Sequence, residues 1–551
     1  MKEIIYAIFL SFFLCGLCGN AEAKKKKEVK KAIKREVQTP YDKLFKGKKA
    51  FTVNGLMKMH LMAGKVYAGF PIELLNRDLA LTSSIEDISD NGEGVVGQFA
   101  GRVNQFRFTL QDSMLQARLV RRYGVKNTGM GKNADQIIER SNTPGIFQSY
   151  KILAYTPDKK AVVVDMTELF LESSRLTNPF PSYAGNSLYG FVQRIHKFQS
   201  QRSELLGICG NDNSMSVRCN LGFNVDRLVL GSFMQAKDVP VSVTVNKILM
   251  LLPEDPMRPR LADSRIGVNA IIQTELPDVC QGIKTYYITK RWRIEPVDEI
   301  RYKQGEMVDV KKPIVFYIDT LMPDSWIKYV KAGAEAWNAA FEKIGLRNVV
   351  RTELFPKDSS FDAGDIHNSV IRYAPSWMYY PQYSMHTDPR TGEILNASVY
   401  LPANVASYFY TSRTEETMAV DPSVRKARLS EEQFGEMFKA KMMQAIGRCL
   451  GLTDNYAASS VYPVDSLRSA SFTRKYGVVA SVMDDFTCNK IAQPEDVKKG
   501  VVLVQQNLGP YDYEVIKYLY KPIMEVKHFR EEKAVLGPVS YTHLTLPTTS
   551  R

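Results

Sequence analysis

Gln444, Ala445, Arg448 and Asp454 stand at spacings suited to metal chemistry, yet their side chains are of the wrong types for it. Gln444 and Arg448 are four residues apart in an apolar run that stops at Gly451, so they share one face of a helix; Asp454 follows just beyond the stop. Two histidines at such positions would hold zinc, a glutamate beside the first would act as general base, and a third ligand delivered after the glycine would complete the site. Here Gln444 is a weak neutral ligand, Arg448 is a permanent cation unable to ligate, and Asp454 is the only anion of the three. Ala445 has no proton to give or take, and loss of a positioned general base alone removes roughly 10² to 10⁴ in rate. Helix geometry predicts instead an ion pair between Arg448 and Asp454, the guanidinium standing in for a metal's charge.

Other ligand types do not repair the set. None of the six histidines is four residues from another, and His367 and His386, the two in this part of the chain, read as surface or structural residues. None of the five cysteines beyond residue 23 has the C-x-x-C spacing of a thiolate zinc site. Cys209 and Cys219 could pair across a short loop in an oxidising compartment, with Cys280, Cys449 and Cys488 left as an odd remainder.

The elements that must carry these residues are legible as an α+β domain over residues 301–500. Pro313–Asp319 reads as a buried strand. Trp326, Val330, Trp337, Ala340, Phe341 and Ile344 recur at helical spacing, which predicts a helix from Asp324 to Ile344 ended by Gly345. Strands are expected at Val349–Leu354, Ser369–Tyr373 and Ile394–Leu401, and a second long helix from Glu431 to Leu450, capped by Ser430 and stopped by Gly451. That order predicts two long helices on a mixed sheet. Residues 41–300 hold short alternating runs such as Val103–Leu110, Ala161–Met166 and Val241–Leu252, a mostly β region without a fixed-period repeat.

The run Gln444-Ala445-Ile446-Gly447-Arg448-Cys449-Leu450-Gly451-Leu452-Thr453-Asp454-Asn455 resembles the metzincin helix H-E-x-G-H-x-L-G-L-x-H-N with its frame kept and its ligands and base replaced. Ala480-Ser481-Val482-Met483-Asp484 resembles the methionine turn beneath the metal site of that family, followed by Gln493-Pro494-Glu495-Asp496. Ala334–Phe341 looks like the family's first helix, and Asp388–Ile394 like its turn into the strand that lines the substrate cleft. Asp388 and Glu393 read as turn residues, and Met442 and Met443 as packing. Pro259–Gly267 and the lysine-rich start also resemble a group of large exported bacterial zinc-dependent metalloproteases. The resemblance implies zinc in active members; with Gln444, Arg448 and Asp454 at the degenerate metal positions and Ala445 at the base position, no metal, no cofactor and no catalytic residue is expected here.

With 551 residues, 44% apolar and 11% aromatic, the chain is long enough for two or three cored domains. Residues 1–23 read as a signal peptide cleaved after Ala23, with a lipid-modified Cys15 or Cys18 as the alternative. Net charge is +14, and residues 24–36 carry eight Lys/Arg against two Glu, so the excess is concentrated in a basic linker (24–40) that is solvated or, alternatively, touches anionic lipid or polysaccharide. Nothing resembles a nucleic-acid fold, and no transmembrane helix is expected. Residues 501–538 read as the start of a truncated C-terminal region, and 539–551 as a sequencing-adapter artefact, which sets His543 aside. The expected protein is exported (periplasmic, outer-membrane-associated or secreted) and is a pseudoprotease that binds peptide or protein in its cleft. An active zinc metalloendopeptidase with an atypical site and a structural envelope protein stay open as alternatives.

Overall fold

Side chains that alternate between core and surface, as in Met114–Leu119 where Leu115 and Ala117 turn inward, build the N-terminal half from strands. The computed structural model describes residues 38–536, apart from 121–124, 130–131, 174–175, 177, 181–191, 231–232, 279–281, 359–360, 377, 486–487 and 527. Residues 1–23, read above as a signal peptide, with Cys15 and Cys18, the stretch up to residue 37, Cys280, and 539–551 with His543 lie outside the described residues.

The largest sheet is antiparallel, in the order Val192–Asn211, Ser214–Val229, Phe233–Leu251, Leu79–Ile88, Phe99–Gln111, Met114–Leu119 and Gly145–Lys151. A five-stranded antiparallel sheet packs on it, with Phe70 and Val162 meeting Phe108 and Leu249 in one core; the Phe70 and Phe108 rings are 4.7 Å apart. The mostly β reading of this region agrees with the structure, which adds a helix, Lys132–Ser141, whose short apolar set Ala134, Ile137 and Ile138 the sequence reading did not single out. The expected Cys209–Cys219 pairing does not form. The hairpin register sets Cys209 opposite Ser216 and Cys219 opposite Leu205, so one thiol is exposed, the other buried, and both are free.

Beyond residue 300 a five-stranded sheet runs in the order Val350–Leu354, Ile314–Ile318, Ser369–Tyr373, Ile394–Leu401 and Gln382–Thr387. The first four strands are parallel and the last is antiparallel. Helices Asp324–Glu335 and Glu431–Cys449 cover one face, burying Val330, Trp337, Phe438, Met442 and Ile446 against Phe316, Ile318 and Val399. This core also draws Ile266 and Ile294 from before residue 300, and Val515 and Leu519 from the helix Pro510–Tyr520. The single helix expected from Asp324 to Ile344 is two, Asp324–Glu335 and Asn338–Glu342. Between them Ala339 and Ala340 bond back three residues to Ala336 and Trp337, a tightened turn at the point where the fully buried Trp337 donates its indole N–H to Met443 O at 2.9 Å. No helix among the described residues is long and apolar enough to cross a membrane.

The sheet's other face rests on the large N-terminal sheet, where Tyr400 Oη donates to Gly97 O at 2.9 Å and Ser84 Oγ to Gly364 O at 3.2 Å. His386 is buried in this contact with its ring 4.7 Å from Phe99, and neither ring nitrogen has a hydrogen-bond partner among the described residues. Burial, reinforced by the charge of Lys290, pushes its pKa from 6.5 down to about 4. The unfolded chain therefore binds this proton near pH 6.5 while the folded chain does not until about pH 4, so stability is lost on acidification through that window. Thermal melts at pH 7 and pH 5 should show the wild-type midpoint falling more than that of His386→Phe; parallel shifts would mean the ring is not held neutral.

Candidate functional site

The helix that carries the site is fixed at both ends by its sequence. Ser430 Oγ accepts from Gln433 N and the Gln433 side chain accepts from Ser430 N, while Glu431 and Glu432 in the first turn and Arg448 in the last complement the helix dipole. At the exit Gly451 N bonds Arg448 O and Leu452 N bonds Gly447 O, both at 3.0 Å, with Gly451 at φ +94°. The chain that leaves is clasped from outside. Thr453 N donates to Gly267 O, Asn269 N to Gly451 O, Trp292 Nε1 to Cys449 O, and Tyr520 Oη to Leu450 O, at 2.6–3.0 Å. The Pro259–Gly267 segment thus ends in the residue that pairs with the helix exit.

Below the helix lies the methionine turn. A Cβ placed on Gly447 would fall 2.4 Å from Met483 Sδ and 2.6 Å from the Trp337 ring, so only glycine permits this approach. Met483 is fully buried and its carbonyl accepts from Asn455 N at 2.9 Å. Asp512 braces the turn by accepting from Ser481 Oγ at 2.6 Å, Val482 N at 2.9 Å and Gly509 N at 2.7 Å; burial raises its pKa to about 6. Gln493–Asp496 opens a short helix whose Asp496 pairs with Arg468.

At the metal-type positions the side chains bind one another. Arg448 donates through Nε and Nη2 to Asp454 Oδ1 at 2.9 and 2.7 Å, the pair expected from helix geometry. Gln444 is buried and donates to Asp484 O at 2.9 Å, while its Oε1 faces Lys441 Nζ at 3.4 Å; Lys441 also reaches Asp485 Oδ1 at 3.2 Å. Ala445 is buried in the core. This donor set does not fit zinc: the one carboxylate is engaged by a guanidinium, the one amide oxygen faces an ammonium, and an added dication would meet both charges. Nor are histidines brought here. His367 bonds Asp365 at 2.7 Å in the wall of a cleft of about 940 Å³ between the two halves, and His386 lies on the opposite face of the sheet.

Sequence reading missed two participants. Lys441 sits one turn before Gln444 and reads as a solvated lysine, yet it is buried. The strand Gln382–Thr387 mixes Gln, Ser, Met and His and carries no β-branched run, so its pairing with Ile394–Leu401 supplies what propensity lacks. It also corrects the cleft strand: Ile394–Leu401 is flanked on both sides, and the edge beside the site is Gln382–Thr387, whose Tyr383 ring centroid is 5.8 Å from the Arg448 guanidinium carbon. The turn before Ile394–Leu401 is held by Arg390 on Asp388 and Arg293 on Glu393. Replacing Gly451 by alanine would set a Cβ 2.2 Å from Lys290 O at a positive φ. Gly451→Ala should therefore lower unfolding free energy by about 1–3 kcal/mol in urea titration with unchanged slope; a loss within error would mean that the clasp yields.

Residues 426–545, which include the helix from its first turn, the methionine turn and Pro510–Tyr520, match the model of a family described as Met-zincin. The match runs into the stretch beyond 538 that the sequence reading set apart. Residues 97–297 match the model of a domain of unknown function. No curated protein and no solved structure matches the chain. The C-terminal region of this chain is accordingly metzincin-like, of the kind that holds zinc in active metalloproteases.

Proposed function

We propose that this chain is a non-catalytic relative of the zinc metallopeptidases that holds an extended peptide or protein segment along the edge strand Gln382–Thr387. The observation that carries the reading is the Arg448–Asp454 pair, in which two residues standing at the ligand positions of the metzincin-like run bond each other. Without a metal to activate water or polarise a carbonyl, and with Ala445 where a base would stand, peptide hydrolysis has no machinery in this cleft.

Binding has what hydrolysis lacks. An edge strand offers a row of backbone donors and acceptors to a partner strand, and alternate side chains then give selectivity. Tyr379, Tyr380 and Tyr383 are exposed on or just before this edge, and the exposed Tyr456 reaches Asp454 Oδ2 at 3.4 Å. Rigid amphipathic rings of this kind provide contact area with little loss of rotamer freedom. The leader read from residues 1–23 would place the protein in an exported compartment, where its partners would be found.

Two measurements decide the reading. The purified chain, dialysed against trace zinc, should retain far less than one zinc per molecule by elemental analysis and show no chelator-sensitive cleavage of a peptide library; stoichiometric zinc would overturn it. Tyr383→Ala should weaken capture of extended peptides without shifting the melting midpoint, and unaltered capture would move the binding edge elsewhere.

A further inference from the structure

We infer that Arg448 receives a carboxylate of the bound peptide, supplied by its C-terminus or by an Asp or Glu side chain. The inference rests on the peptide-binding reading and adds the chemistry of one subsite to it.

The guanidinium is only half used. Both of its bonds to Asp454 go to a single oxygen, Oδ1, from Nε and Nη2, whereas its planar fork carries five N–H donors suited to bidentate recognition of a carboxylate. Among the described residues Nη1 makes no hydrogen bond to protein. The side chains of the pair are 21% and 32% exposed, and solvent screening weakens such a pair, so that an incoming carboxylate can share the guanidinium or displace Asp454.

Charge is also placed unevenly across the cleft. Lys441 lies two helical turns before Arg448 on the same face with a side chain only 7% exposed, while its partner Asp485 is 66% exposed. The counter-charge of Lys441 at Asp485 thus stands where water screens it, while the neighbouring Asp484 carboxylate is buried and accepts from Ser459 N at 2.7 Å. Tyr383 and Met385 point from the edge strand toward this helix, since Ser384 and His386 of the same strand contact Tyr400 and Phe99 on the opposite side. A peptide strand added to that edge lies about 4.8 Å from it, and its alternate side chains, or its terminus, fall on the face where Arg448 waits.

The test uses the full chain and three sets of fluorescent hexapeptides of otherwise neutral sequence: free C-terminal acids, C-terminal amides, and amides with one Asp or Glu moved through each position. Carboxylate-bearing peptides should bind at least about tenfold more tightly than neutral amides, with the advantage shrinking as salt rises. Whichever carboxylate set keeps the advantage names the source. Arg448→Met should abolish the preference and leave neutral amides unchanged, Arg448→Lys should restore part of it, and Asp454→Asn, which frees the guanidinium, should enlarge it. Equal binding of acids and amides, or a preference that survives Arg448→Met, overturns this subsite but not edge-strand docking. Failure of every set to bind overturns both.

Discussion

The close approach of one helix to what lies beneath it, at Gly447, is the constraint on which the rest of the site depends. Met483 Sδ and the Trp337 ring occupy the volume that any side chain there would need, so the helix sits at one height above the turn and in one rotation about its axis. With that fixed, Gln444 is buried against Asp484 O, Arg448 stands partly exposed beside Asp454, and Ala445 lies in the core. The buried carboxylate of Asp512, shared among Ser481, Val482 and Gly509, holds the turn from below, and the bond from Trp337 to Met443 O ties the neighbouring helix to the same point. A frame so heavily braced is indifferent to which side chains stand at positions 444, 448 and 454, and for that reason it keeps its shape when they cannot bind metal.

Electrostatics then decides what positions 444, 448 and 454 can hold. A zinc site would concentrate two positive charges among neutral or anionic ligands. Here the charge is distributed between Arg448 and Lys441, and Asp454, which as a ligand would face a metal, faces a guanidinium instead. The arrangement contributes little to stability, because the Arg448–Asp454 pair is partly solvated. Its effect is on which donors stay available: Arg448 bonds Asp454 through Nε and Nη2 and remains partly exposed.

The site was legible in the sequence to the extent that it is local. The helix ends, the glycine stop and the Arg448–Asp454 pair all follow from spacings of a few residues, and the structure shows the cap at Ser430, the exit at Gly451 and the pair where those spacings place them. What escaped was non-local. The strand Gln382–Thr387 exists because Ile394–Leu401 offers it a ladder, and no run of its own residues declares it. Lys441 is buried because Gln444 and Asp485 reach it, which a helical wheel does not reveal. The proposed thiol pairing failed for the same reason: ten residues of separation look like a short loop until register sets Cys209 and Cys219 against different partners.

The outer clasp shows why the N-terminal half matters to a site built from the other half. Gly267 and Asn269 pair with the exit of the helix, and the preceding Arg260 is buried with Nη1 and Nη2 on the carbonyls of Tyr518 and Lys521 and Nε on Glu532. Those carbonyls belong to the end of Pro510–Tyr520, the negative pole of the helix whose Asp512 supports the methionine turn. One short segment therefore grips the helix exit at its far end and the turn's support at its near end. Because Ile266 and Ile294 of the same stretch also enter the core of the second half, this link sets the height of Arg448 against the edge strand.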